Sequence, residues 1–454
     1  MKTYKSEFLR TLAERGFLHQ CTNIDALDEL MERENVTAYI GFDCTAPSLH
    51  VGSLMQIMIL RWLQKCKHKP IVLLGGGTTK IGDPSGKDET RKILSDDDIN
   101  ANMQGIRKVF EKFVDFEEKG GNALLVNNDD WLKNLKLVDF LRDYGKHFSV
   151  NHMLSMDSVK LRLERQQNLS FLEFNYMVMQ AYDFVELADK YNCRLQIGGS
   201  DQWGNIVMGI PLQDIKIREL ENTHEGRKEK EKYYEEQKEK GITQDEAIRN
   251  WVKKRREEND IFGLTTPLIT TASGAKMGKT AAGAIWLNED MLSSFDYWQF
   301  WRNTEDADVG KFLRFFTELE ISEIEVLEKG DINYAKTVLA NEATALCHGK
   351  EAAKIAAETA RKIFAEGGVS DDMPTFYIEK DVLAQGITSF ELFHLAGLKE
   401  SKGEAKKLIE GGGARLNNEK IGDARMLVDL STFAGQDYIK LSAGKKQHLL
   451  LKLK

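Results

Sequence analysis

The sequence has no apolar stretch that approaches the length of a membrane span. Its longest apolar runs, such as Ile71–Leu74, are far shorter than the roughly 18–20 residues that a transmembrane helix needs. The first 17 residues mix basic with acidic side chains and have no long apolar core, which predicts a helix rather than a secretion signal or a mitochondrial transit peptide. We therefore expect a cytoplasmic protein with no membrane partner.

Cysteine is scarce. The five cysteines are widely spaced and form no CxxC pair. This pattern argues against a disulfide framework and against a structural zinc site, so we predict no metal-ligating residues. It favours a reducing compartment.

An excess of positive charge is also lacking. The 63 Lys and Arg against 71 Asp and Glu give a net charge of −8, which argues against a protein whose whole surface binds nucleic acid. Apolar residues at 42% and charged residues at 30% exclude collagen-like, mucin-like and wholly disordered chains. At about 100–200 residues per domain, the 454 residues predict two to four domains.

Short apolar, β-branched runs alternate with amphipathic helical stretches over the first 200 residues. Strands are predicted at Val36–Phe42, Pro70–Gly75, Ala123–Asn127 and Arg194–Gly198, with helices between them such as Val51–Lys65 and Leu135–Tyr144. This alternation predicts an α/β fold with a doubly wound, mostly parallel, Rossmann-like sheet. Ligands of such sheets bind outside the carboxyl ends of the strands, so the residues after each strand are site candidates.

The composition changes downstream of these strands. Residues 212–260 contain 13 Lys and Arg against 14 Asp and Glu, with few apolar anchors. One interpretation is a solvated helical excursion with many i,i+4 charge pairs; the other is an insert that contacts RNA or a protein partner. A helix-rich region and a glycine-containing linker follow, and then a small terminal domain of roughly 75 residues.

The run Gly75–Lys80 invites a phosphate-loop interpretation, which its spacing excludes. A dinucleotide fingerprint needs a small residue where Lys80 stands. A Walker A loop around Lys87 would need Gly at position 81 and Ser or Thr at position 88, where the chain has Ile81 and Asp88. Any ATP site must therefore be built differently.

One such site is suggested just after the first predicted strand. Residues 41–53 form a turn of small and polar residues followed by a helix start with His50 and Gly52 in its first turn. Helix amino termini favour anions, an imidazole there can donate to a phosphate oxygen, and a glycine lets a flat base approach the backbone. Taken alone, His50 could equally cap or pack the helix.

A second candidate lies far downstream. Lys276, Lys279 and Thr280 stand on a glycine-bearing loop after the strand-like run Leu264–Thr270. A pair of mobile cations suits a polyphosphate whose charge grows in a transition state. Taken alone, such a loop is common surface chemistry; the two segments together are far more specific.

These segments carry a family resemblance. Residues 50–53, His-Val-Gly-Ser, resemble the HIGH motif of class I aminoacyl-tRNA synthetases, and residues 276–280, Lys-Met-Gly-Lys-Thr, resemble their KMSKS motif. Further segments look like those of bacterial-type tyrosyl-tRNA synthetases over nearly the whole chain outside the charged insert: 39–43, 81–87, 176–183 and 196–205.

This resemblance implies three domains. They are a class I synthetase catalytic domain over 1–290, with the insert at about 212–260 and the KMSKS-like loop at 275–280, an α-helical anticodon-binding domain over 291–370, and a small α+β RNA-binding module over 380–454. The implied reaction is ATP-dependent activation of L-tyrosine and its transfer to the 3′ end of tRNA(Tyr). ATP acts as a substrate with Mg²⁺, and the family implies no tightly bound cofactor. The chain is expected to be a homodimer, and the apolar residues around Trp131–Phe148 are compatible with an interface.

The resemblance also implies roles for individual residues. The catalytic candidates are His50, Lys276, Lys279 and Thr280. The tyrosine-binding candidates are Tyr39, Asp83, Tyr176, Gln180, Asp183 and Gln202. The ATP-binding candidates are Asp43, Thr45, His50, Gly52, Ser53, Gly198, Gly199, Asp201, Lys276 and Lys279, and the pyrophosphate-loop candidates are Lys87 and Arg91.

Helical spacing supports part of this assignment. Tyr176 and Asp183 lie seven positions apart, which is two helical turns, with Gln180 between them on the same face. Core packing remains the alternative for Tyr176 and is preferred for Tyr182, and a solvated basic turn is the alternative for the Lys87 loop. One departure from the family pattern is Ser53, which replaces the second histidine of the HIGH motif with a shorter, uncharged donor.

The terminal domain has its own charge. From Lys399 to Lys454 there are 12 Lys and Arg against 7 Asp and Glu, a local charge of +5 that leaves −13 on the rest of the chain. The segment Phe390–Ile421 predicts two helices, a glycine turn and a strand. It resembles the small RNA-binding module that these synthetases share with pseudouridine synthases and a ribosomal protein. The RNA-binding candidates are Lys402, Lys406, Lys407 and Arg415.

Three alternatives remain open at this point. A lysine-rich surface helix with no RNA partner could account for the terminal domain. A tryptophan-activating relative would share the ATP motifs. A non-catalytic RNA-binding or splicing protein could be built on the same scaffold, although the retained His50, Lys276 and Lys279 weigh against it.

Overall fold

The computed structural model describes residues 3–84, 94–221, 223–274, 277–280, 283–365, 373–433, 436–444 and 447–454. They fall into two compact units. The first comprises Met1–Leu292 with Asn303–Cys347, and the second comprises Ser293–Arg302 with His348–Lys454.

The helices of the described residues are α1 (Glu7–Arg15), α2 (Ile24–Arg33), α3 (Leu54–Lys65), α4 (Asp96–Phe110), α5 (Asp129–Leu132), α6 (Leu137–Asp143), α7 (Val150–Ser155), α8 (Asp157–Glu164), α9 (Phe171–Phe174), α10 (Tyr176–Tyr191), α11 (Trp203–Glu221), α12 (His224–Lys238), α13 (Gln244–Asn259), α14 (Ser294–Arg302), α15 (Val309–Phe316), α16 (Ile321–Lys329), α17 (Ile332–His348), α18 (Lys350–Ala365), α19 (Lys380–Gln385), α20 (Ser389–Leu395) and α21 (Lys402–Glu410). The strands are β1 (Gln20–Cys21), β2 (Thr37–Asp43), β3 (Lys69–Gly75), β4 (Leu124–Asn127), β5 (Cys193–Gly199), β6 (Phe262–Thr266), β7 (Lys279–Thr280), β8 (Gly283–Ala284), β9 (Thr375–Ile378), β10 (Ile387–Thr388), β11 (Ala414–Leu416), β12 (Glu419–Lys420), β13 (Leu427–Val428), β14 (Tyr438–Ala443) and β15 (Gln447–Leu453).

A six-stranded sheet in the order β1-β6-β5-β2-β3-β4 forms the centre of the first unit. The five strands from β6 to β4 are parallel, and β1 is an antiparallel edge strand. The predicted parallel α/β fold is therefore confirmed. The first four predicted strands are correct to within one residue at each end, whereas the run expected over 264–270 forms β6 at Phe262–Thr266.

The sheet is covered by helices on which the apolar residues are densely spaced. In α3 nearly every residue from Leu54 to Leu63 is buried, because this helix packs both against the sheet and beneath α1 and α15. Helix α10 buries Met177, Val178, Ala181 and Phe184 against α11 and β5. Burial on both faces explains why β3 is a nearly continuous apolar run. Every residue of β5 is buried as well, although that strand contains Arg194 and Gln196.

The charged segment is a helical hairpin. Helices α12 and α13 pack against each other, begin with Thr223 and Thr243 as side-chain N-caps, and bury only a few residues such as Trp251. Lys253 and Glu257 form an i,i+4 ion pair at 3.7 Å. Because β6 starts three residues after α13 ends, the hairpin connects at the amino ends of the strands, opposite the edge where ligands of such sheets bind.

The second unit contains a small α+β module. Strands in the order β12-β11-β14-β15-β9 form a five-stranded sheet, and α20 packs against α21. The apolar core of the module includes Phe393, Ile409, Ile439 and Leu451. In the described part of the chain, no helix combines the length and apolarity needed to cross a membrane.

Candidate active site

A cavity of about 430 Å³ opens at the carboxyl ends of β2, β3 and β5, within the range of about 300–1,000 Å³ that is usual for small-molecule sites. Its wall contains these sequence-predicted residues: Tyr39, Asp43, Thr45, His50, Gly52, Ser53, Asp83, Tyr176, Gln180, Asp183, Gly198, Gly199, Asp201 and Gln202. Residues from both halves of the sheet are thus brought to one site.

Asp183 is the most deeply buried carboxyl group of the cavity, with 2% of the residue exposed. Its Oδ2 accepts from Nδ2 of Asn128 at 3.0 Å, and its Oδ1 accepts from Nε1 of Trp131 at 2.8 Å. Burial raises the pKa of Asp183 to about 7, although the two donors oppose that rise. In the absence of a ligand, the site therefore contains a carboxyl group that gains or loses its proton near neutral pH.

Tyr39 lies beside this carboxyl group. It is 1% exposed, and its hydroxyl has no hydrogen-bond partner among the described residues. Burial raises the pKa of Tyr39 well above its ordinary value, and the Asp183 carboxylate raises it further. A buried hydroxyl without a partner costs about 1–3 kcal/mol, so the site gains when a ligand supplies that partner.

The inner face of α10 carries Tyr176, Gln180 and Asp183, as their spacing predicted, and all three line the cavity. The Tyr176 hydroxyl donates to Oδ2 of Asp43 at 3.2 Å, while Thr78 donates to Oδ1 of Asp43 at 2.8 Å. Tyr182 points elsewhere: it packs on Phe140 and hydrogen-bonds to Glu186, as its core interpretation predicted.

Gln202 and Asp83 meet across the cavity. Nε2 of Gln202 donates to Oδ2 of Asp83 at 2.9 Å. Asn205 Nδ2 lies 3.2 Å from Oε1 of Gln202 and 3.0 Å from Oε1 of Gln180. These four side chains form one polar network that holds acceptor oxygens in fixed positions.

His50 begins the short 3₁₀ helix Val51–Ser53 that precedes α3. Its Nδ1 accepts from the backbone N–H of Gly52 at 3.0 Å, so His50 is the N-cap and lines the cavity at the same time. Ser53 is the residue before α3 and makes no side-chain cap hydrogen bond there. The two alternatives for His50, a capping role and a site role, are therefore compatible.

The described part of the KMSKS-like segment lies directly against this helix start. The carbonyl of Gly278 accepts from the N–H of Ile285 at 3.3 Å, and the carbonyl of Ile285 accepts from the N–H of Val51 at 2.9 Å. A Cβ added at Gly52 would lie 2.9 Å from the carbonyl oxygen of Met277. The two distant motifs thus meet in the folded chain.

The end of β5 turns tightly into the 3₁₀ helix Ser200–Gln202. A Cβ added at Gly199 would lie 2.6 Å from Oδ1 of Asp201, and one added at Gly198 would lie 3.1 Å from Cβ of Gln202. Two glycines therefore let Asp201 and Gln202 fold back against the strand end, where both line the cavity.

The described lining is acidic. It contains four carboxyl groups, on Asp43, Asp83, Asp183 and Asp201, and the same described lining contains no Lys or Arg. The predicted cations lie elsewhere: Lys87, Arg91 and Lys276 are outside the described residues, and for Lys279 and Thr280 only the backbone of β7 is described. The structure shows no group of three His, Cys, Asp or Glu side chains placed to hold a metal ion in the described ranges.

Several residues of the cavity were missed by the sequence analysis. They are Gln56, Thr78, Asn128 and Gln196, together with Trp131 behind them. Asn128 directly follows a predicted strand and could have been found by the strand-end rule. Gln196 is 2% exposed, and its Oε1 has no partner among the described residues. A polar residue between the apolar Leu195 and Ile197 of a predicted strand is a usable signal.

The RNA-binding candidates lie on the terminal module. Lys402, Lys406 and Lys407 are exposed along α21, whose Ala405 and Ile409 face the core. Arg415 is exposed on β11, between the buried Ala414 and Leu416. Lys402 pairs with Glu391 at 2.7 Å, so its charge is partly compensated.

Comparison with known proteins shows the family. Residues 31–365 match the family of tRNA synthetases class I (W and Y). The chain is 52% identical to a tyrosine–tRNA ligase of Rickettsia bellii over 449 residues (98% of this chain, 100% of the relative), and 52% identical to one of Rhodospirillum rubrum over 457 residues (100% and 99%). A C-terminally truncated mitochondrial tyrosyl-tRNA synthetase of Aspergillus nidulans has a similar structure, with a TM-score of 0.63 and 32% identity over 79% of this chain and 94% of that one. Together with the cavity and its two motifs, these similarities show that the chain belongs to the tyrosine–tRNA ligase family of class I aminoacyl-tRNA synthetases.

Proposed function

We propose that the cavity forms tyrosyl-adenylate from L-tyrosine and ATP and then transfers the tyrosyl group to the 3′-terminal ribose of tRNA(Tyr). One observation carries the specificity of this proposal. The closed end of the cavity holds a buried carboxyl group, Asp183, beside a buried hydroxyl, Tyr39, that has no partner among the described residues.

A phenol satisfies both groups of that end at once. Its hydroxyl donates to Asp183 and accepts from Tyr39, whereas an indole N–H can only donate and a phenyl ring can do neither. Phenylalanine would leave the buried Tyr39 hydroxyl unpaired and would give the Asp183 carboxyl group no donor beyond Asn128 and Trp131, which is the situation that gives strong discrimination. This favours tyrosine over tryptophan, although the matched family model covers both.

The polar network next to this end suits the amino-acid head group. In the proposal, Asp83, Tyr176 and Gln180 surround the ammonium group, and Gln202 lies near the carboxylate. Gln202, Asn205 and Gln180 are already hydrogen-bonded in fixed positions, so little ordering is needed on binding.

The helix start and the end of β5 suit the nucleotide. The proposal places the adenine and ribose against Gly52, Gly198 and Gly199, where close backbone approach is possible, with Asp201 accepting from ribose hydroxyls. Asp43, Thr45 and Ser53 flank the nucleotide, and His50 donates to a phosphate oxygen from the positive end of the helix.

The phosphates need cations that the described lining does not supply. In the proposal, Lys276, Lys279 and Thr280 bind the phosphates, and Lys87 and Arg91 lie near the departing pyrophosphate. Mg²⁺ would be held mainly by the phosphates of ATP, which is its usual binding mode and fits a described site with no three-ligand cluster. Bound there, it would neutralise charge on the phosphates. No tightly bound cofactor is proposed.

The proposed reaction has two steps, adenylate formation and acyl transfer, and the first needs no general base because the attacking carboxylate is already ionised. A tyrosine carboxylate oxygen forms a bond to the α-phosphorus as the bond to the β-phosphate oxygen breaks, and pyrophosphate leaves. A ribose hydroxyl of the tRNA then attacks the carbonyl carbon, the bond to the adenylate oxygen breaks, and AMP and a proton are released. Catalysis consists of positioning and of stabilising the charge on pyrophosphate.

The remaining regions are proposed to bind tRNA. The helices of 291–370 would contact the anticodon region, and the module of 380–454 would contact phosphates through Lys402, Lys406, Lys407 and Arg415. The exposure of these four side chains and the local charge of +5 support that role.

A homodimer in the cytoplasm completes the proposal. Within the stretch 131–148, Trp131 and Phe140 are buried inside the chain and cannot form an interface, which corrects part of the expectation for that stretch. Apolar side chains of α6, α7 and α9 are exposed instead, with Val138 at 77% and Phe171 at 81%. We propose that a second subunit covers these side chains.

Amino-acid-dependent exchange of pyrophosphate into ATP tests the reaction. We expect exchange with tyrosine, and none above background with phenylalanine or tryptophan. Exchange with tryptophan alone would identify a tryptophan-activating enzyme, and absence of exchange with any amino acid would support a non-catalytic RNA-binding protein.

A further inference from the structure

The segment that carries the KMSKS-like motif is fastened at both of its ends. Downstream, Leu287 and Asn288 are held by backbone and side-chain hydrogen bonds to Leu49 and Ser48, beside the HIGH-like motif. Upstream, residues 270–272 are held by a different element, the amino end of α15. The site described above does not include this upstream fastening.

Asp308 and Lys311 make the upstream contacts. Oδ2 of Asp308 accepts from the backbone N–H of Ala272 at 2.7 Å, and Nζ of Lys311 donates to the backbone carbonyl of Thr270 at 2.8 Å. The two side chains pair with each other at 2.8 Å. We name these contacts the α15 clasp.

The burial of Asp308 fixes the geometry of the clasp. The side chain of Asp308 is only 3% exposed, and it lies one residue before α15 without capping that helix. A buried carboxylate is costly unless its oxygens are paired, so the N–H of Ala272 and the ammonium of Lys311 hold it in one place. Because both groups on the loop side are backbone atoms, the clasp fixes the path of the chain over 270–272.

A short series of contacts leads from the clasp to the catalytic segment. The N–H of Met277 donates to the carbonyl of Ile269 at 3.3 Å, next to the clasped residues. Gly278 follows and lies against His50, and Lys279 begins β7. The position of Lys279 relative to His50 therefore depends on where residues 269–272 are held.

We propose that Asp308, supported by Lys311, is a positioning residue for the KMSKS-like segment, which it aligns for the adenylate-forming transition state. This inference rests on the proposed function, because it assumes that the lysines of the segment act on the phosphates. Among the described residues, the clasp contacts none of the tyrosine-binding end, so its loss should affect the rate of the reaction and leave tyrosine binding intact.

The first test is Asp308→Asn, which removes the charge that pairs with Lys311 and weakens the contact to Ala272. We expect kcat of tyrosine-dependent ATP–pyrophosphate exchange to fall about ten- to a hundred-fold, since misplacement of catalytic groups by about 1 Å can cost that much. The Kd of tyrosine, measured without ATP by equilibrium dialysis, should change by less than about two-fold. Lys311→Met, which keeps the aliphatic stem, should show a smaller fall of the same kind.

Asp28 provides a matched control. It is also a buried aspartate, 6% exposed, whose oxygens accept from the backbone N–H groups of Lys5 and Ser6, but it holds α1 rather than the loop. Asp28→Asn should lower the melting temperature without lowering kcat. If both variants lower kcat in proportion to their loss of stability, Asp308 has only a structural role.

A double-mutant cycle provides the second readout. If Asp308 acts through the segment, Asp308→Asn should lower kcat much less in a Lys279→Ala background than in the wild type. Multiplicative effects of the two changes, or a normal kcat in Asp308→Asn, would overturn the proposal. A wild-type chain without tyrosine-dependent exchange would instead overturn the proposed function, so the two failures are distinguishable.

Discussion

The backbone of Gly278 lies so close to the His50 ring that no larger residue fits at position 278. A Cβ added at Gly278 would lie 2.7 Å from Nδ1 of His50, and the backbone of Gly278 has φ of +116°. Both facts require glycine at this position, although the motif of the family has serine there. The contact joins two segments more than 200 positions apart in the sequence, which would share the work on ATP in the proposed reaction.

Gly278→Ala should therefore displace one motif from the other. We expect kcat of pyrophosphate exchange to fall roughly a hundred-fold, with little change in tyrosine affinity. Gly283→Ala is the matched control, because Gly283 has φ of +111° but no atom of the described residues lies within 4 Å of an added Cβ. Gly283→Ala should destabilise the fold by about 1–2 kcal/mol through the same kind of backbone strain. Its kcat should change by less than about three-fold. Equal kinetic effects would mean that strain and not contact is responsible.

The pKa of Asp183 predicts a pH dependence of tyrosine binding. Burial raises this pKa to about 7, so the free carboxyl group is protonated at lower pH. A protonated carboxyl group cannot accept a charge-assisted hydrogen bond from the substrate hydroxyl. Tyrosine affinity should rise as the pH rises through about 7 and then level off. Isothermal titration calorimetry between pH 5.5 and 8.5 measures this, and Asp183→Asn should bind tyrosine weakly with a flat profile.

The same group predicts how stability changes with pH in the absence of ligand. The unfolded carboxyl group ionises near pH 4, so between about pH 4 and 7 the folded chain binds more protons at this site than the unfolded chain does. Its contribution to the free energy of unfolding therefore falls as the pH rises through that interval. Urea unfolding at several pH values should show a decline that is smaller in Asp183→Asn; the opposite order would contradict the raised pKa.

Trp131 is expected to matter through one N–H group. Trp131→Phe removes the donor to Oδ1 of Asp183 while keeping an aromatic ring, and a hydrogen bond to a charged group is worth about 1.5–3 kcal/mol. We expect the KM for tyrosine to rise about ten-fold or more. Trp62→Phe is the control, since the buried Nε1 of Trp62 has no hydrogen-bond partner in the described residues. A similar rise in both variants would indicate lost packing instead.

Charge removal on the terminal module separates the two steps of the reaction. Lys406→Ala with Lys407→Ala should leave pyrophosphate exchange unchanged but raise the KM for tRNA several-fold, and should reduce the salt slope of tRNA binding by roughly one to two. Lys228→Ala with Lys232→Ala removes the same charge from exposed positions of α12. If that pair weakens tRNA binding instead, the charged hairpin is the RNA-contacting element.

The exposed apolar surface of α6 predicts a test of assembly. Val138→Asp should convert a dimer to monomers in sedimentation velocity, because an unpaired carboxylate in an apolar interface is costly. Val326→Asp changes an equally exposed valine, 71% against 77% for Val138, on α16. It should leave the sedimentation coefficient unchanged. A wild-type chain that is monomeric at micromolar concentration would contradict the proposed dimer.

The sequence was most informative where function depends on local spacing. The first four predicted strands were correct to within one residue, and the positions of Tyr176, Gln180 and Asp183 on one helical face followed from periodicity alone. The strand-end rule directed attention to His50 and Asp201, which line the cavity.

The sequence was least informative where a contact depends on strand order or on a distant element. Asn128 and Trp131 reach Asp183 only because β4 lies beside β3, which periodicity does not specify. Asp308 lies 36 positions from Ala272, and an isolated aspartate before a helix is most simply interpreted as a cap. A buried carboxylate and its N–H donor become recognisable only after the chain has folded.

The hairpin of α12 and α13 has a practical consequence. It leaves α11 and returns to β6 at the edge of the sheet opposite the cavity. Its turn contains Gly241, where an added Cβ would meet no atom of the described residues within 4 Å. Extra chain at this turn would lie at the edge of the sheet opposite the cavity. The turn is therefore a suitable place to graft a fluorescent or affinity label that does not obstruct the cavity.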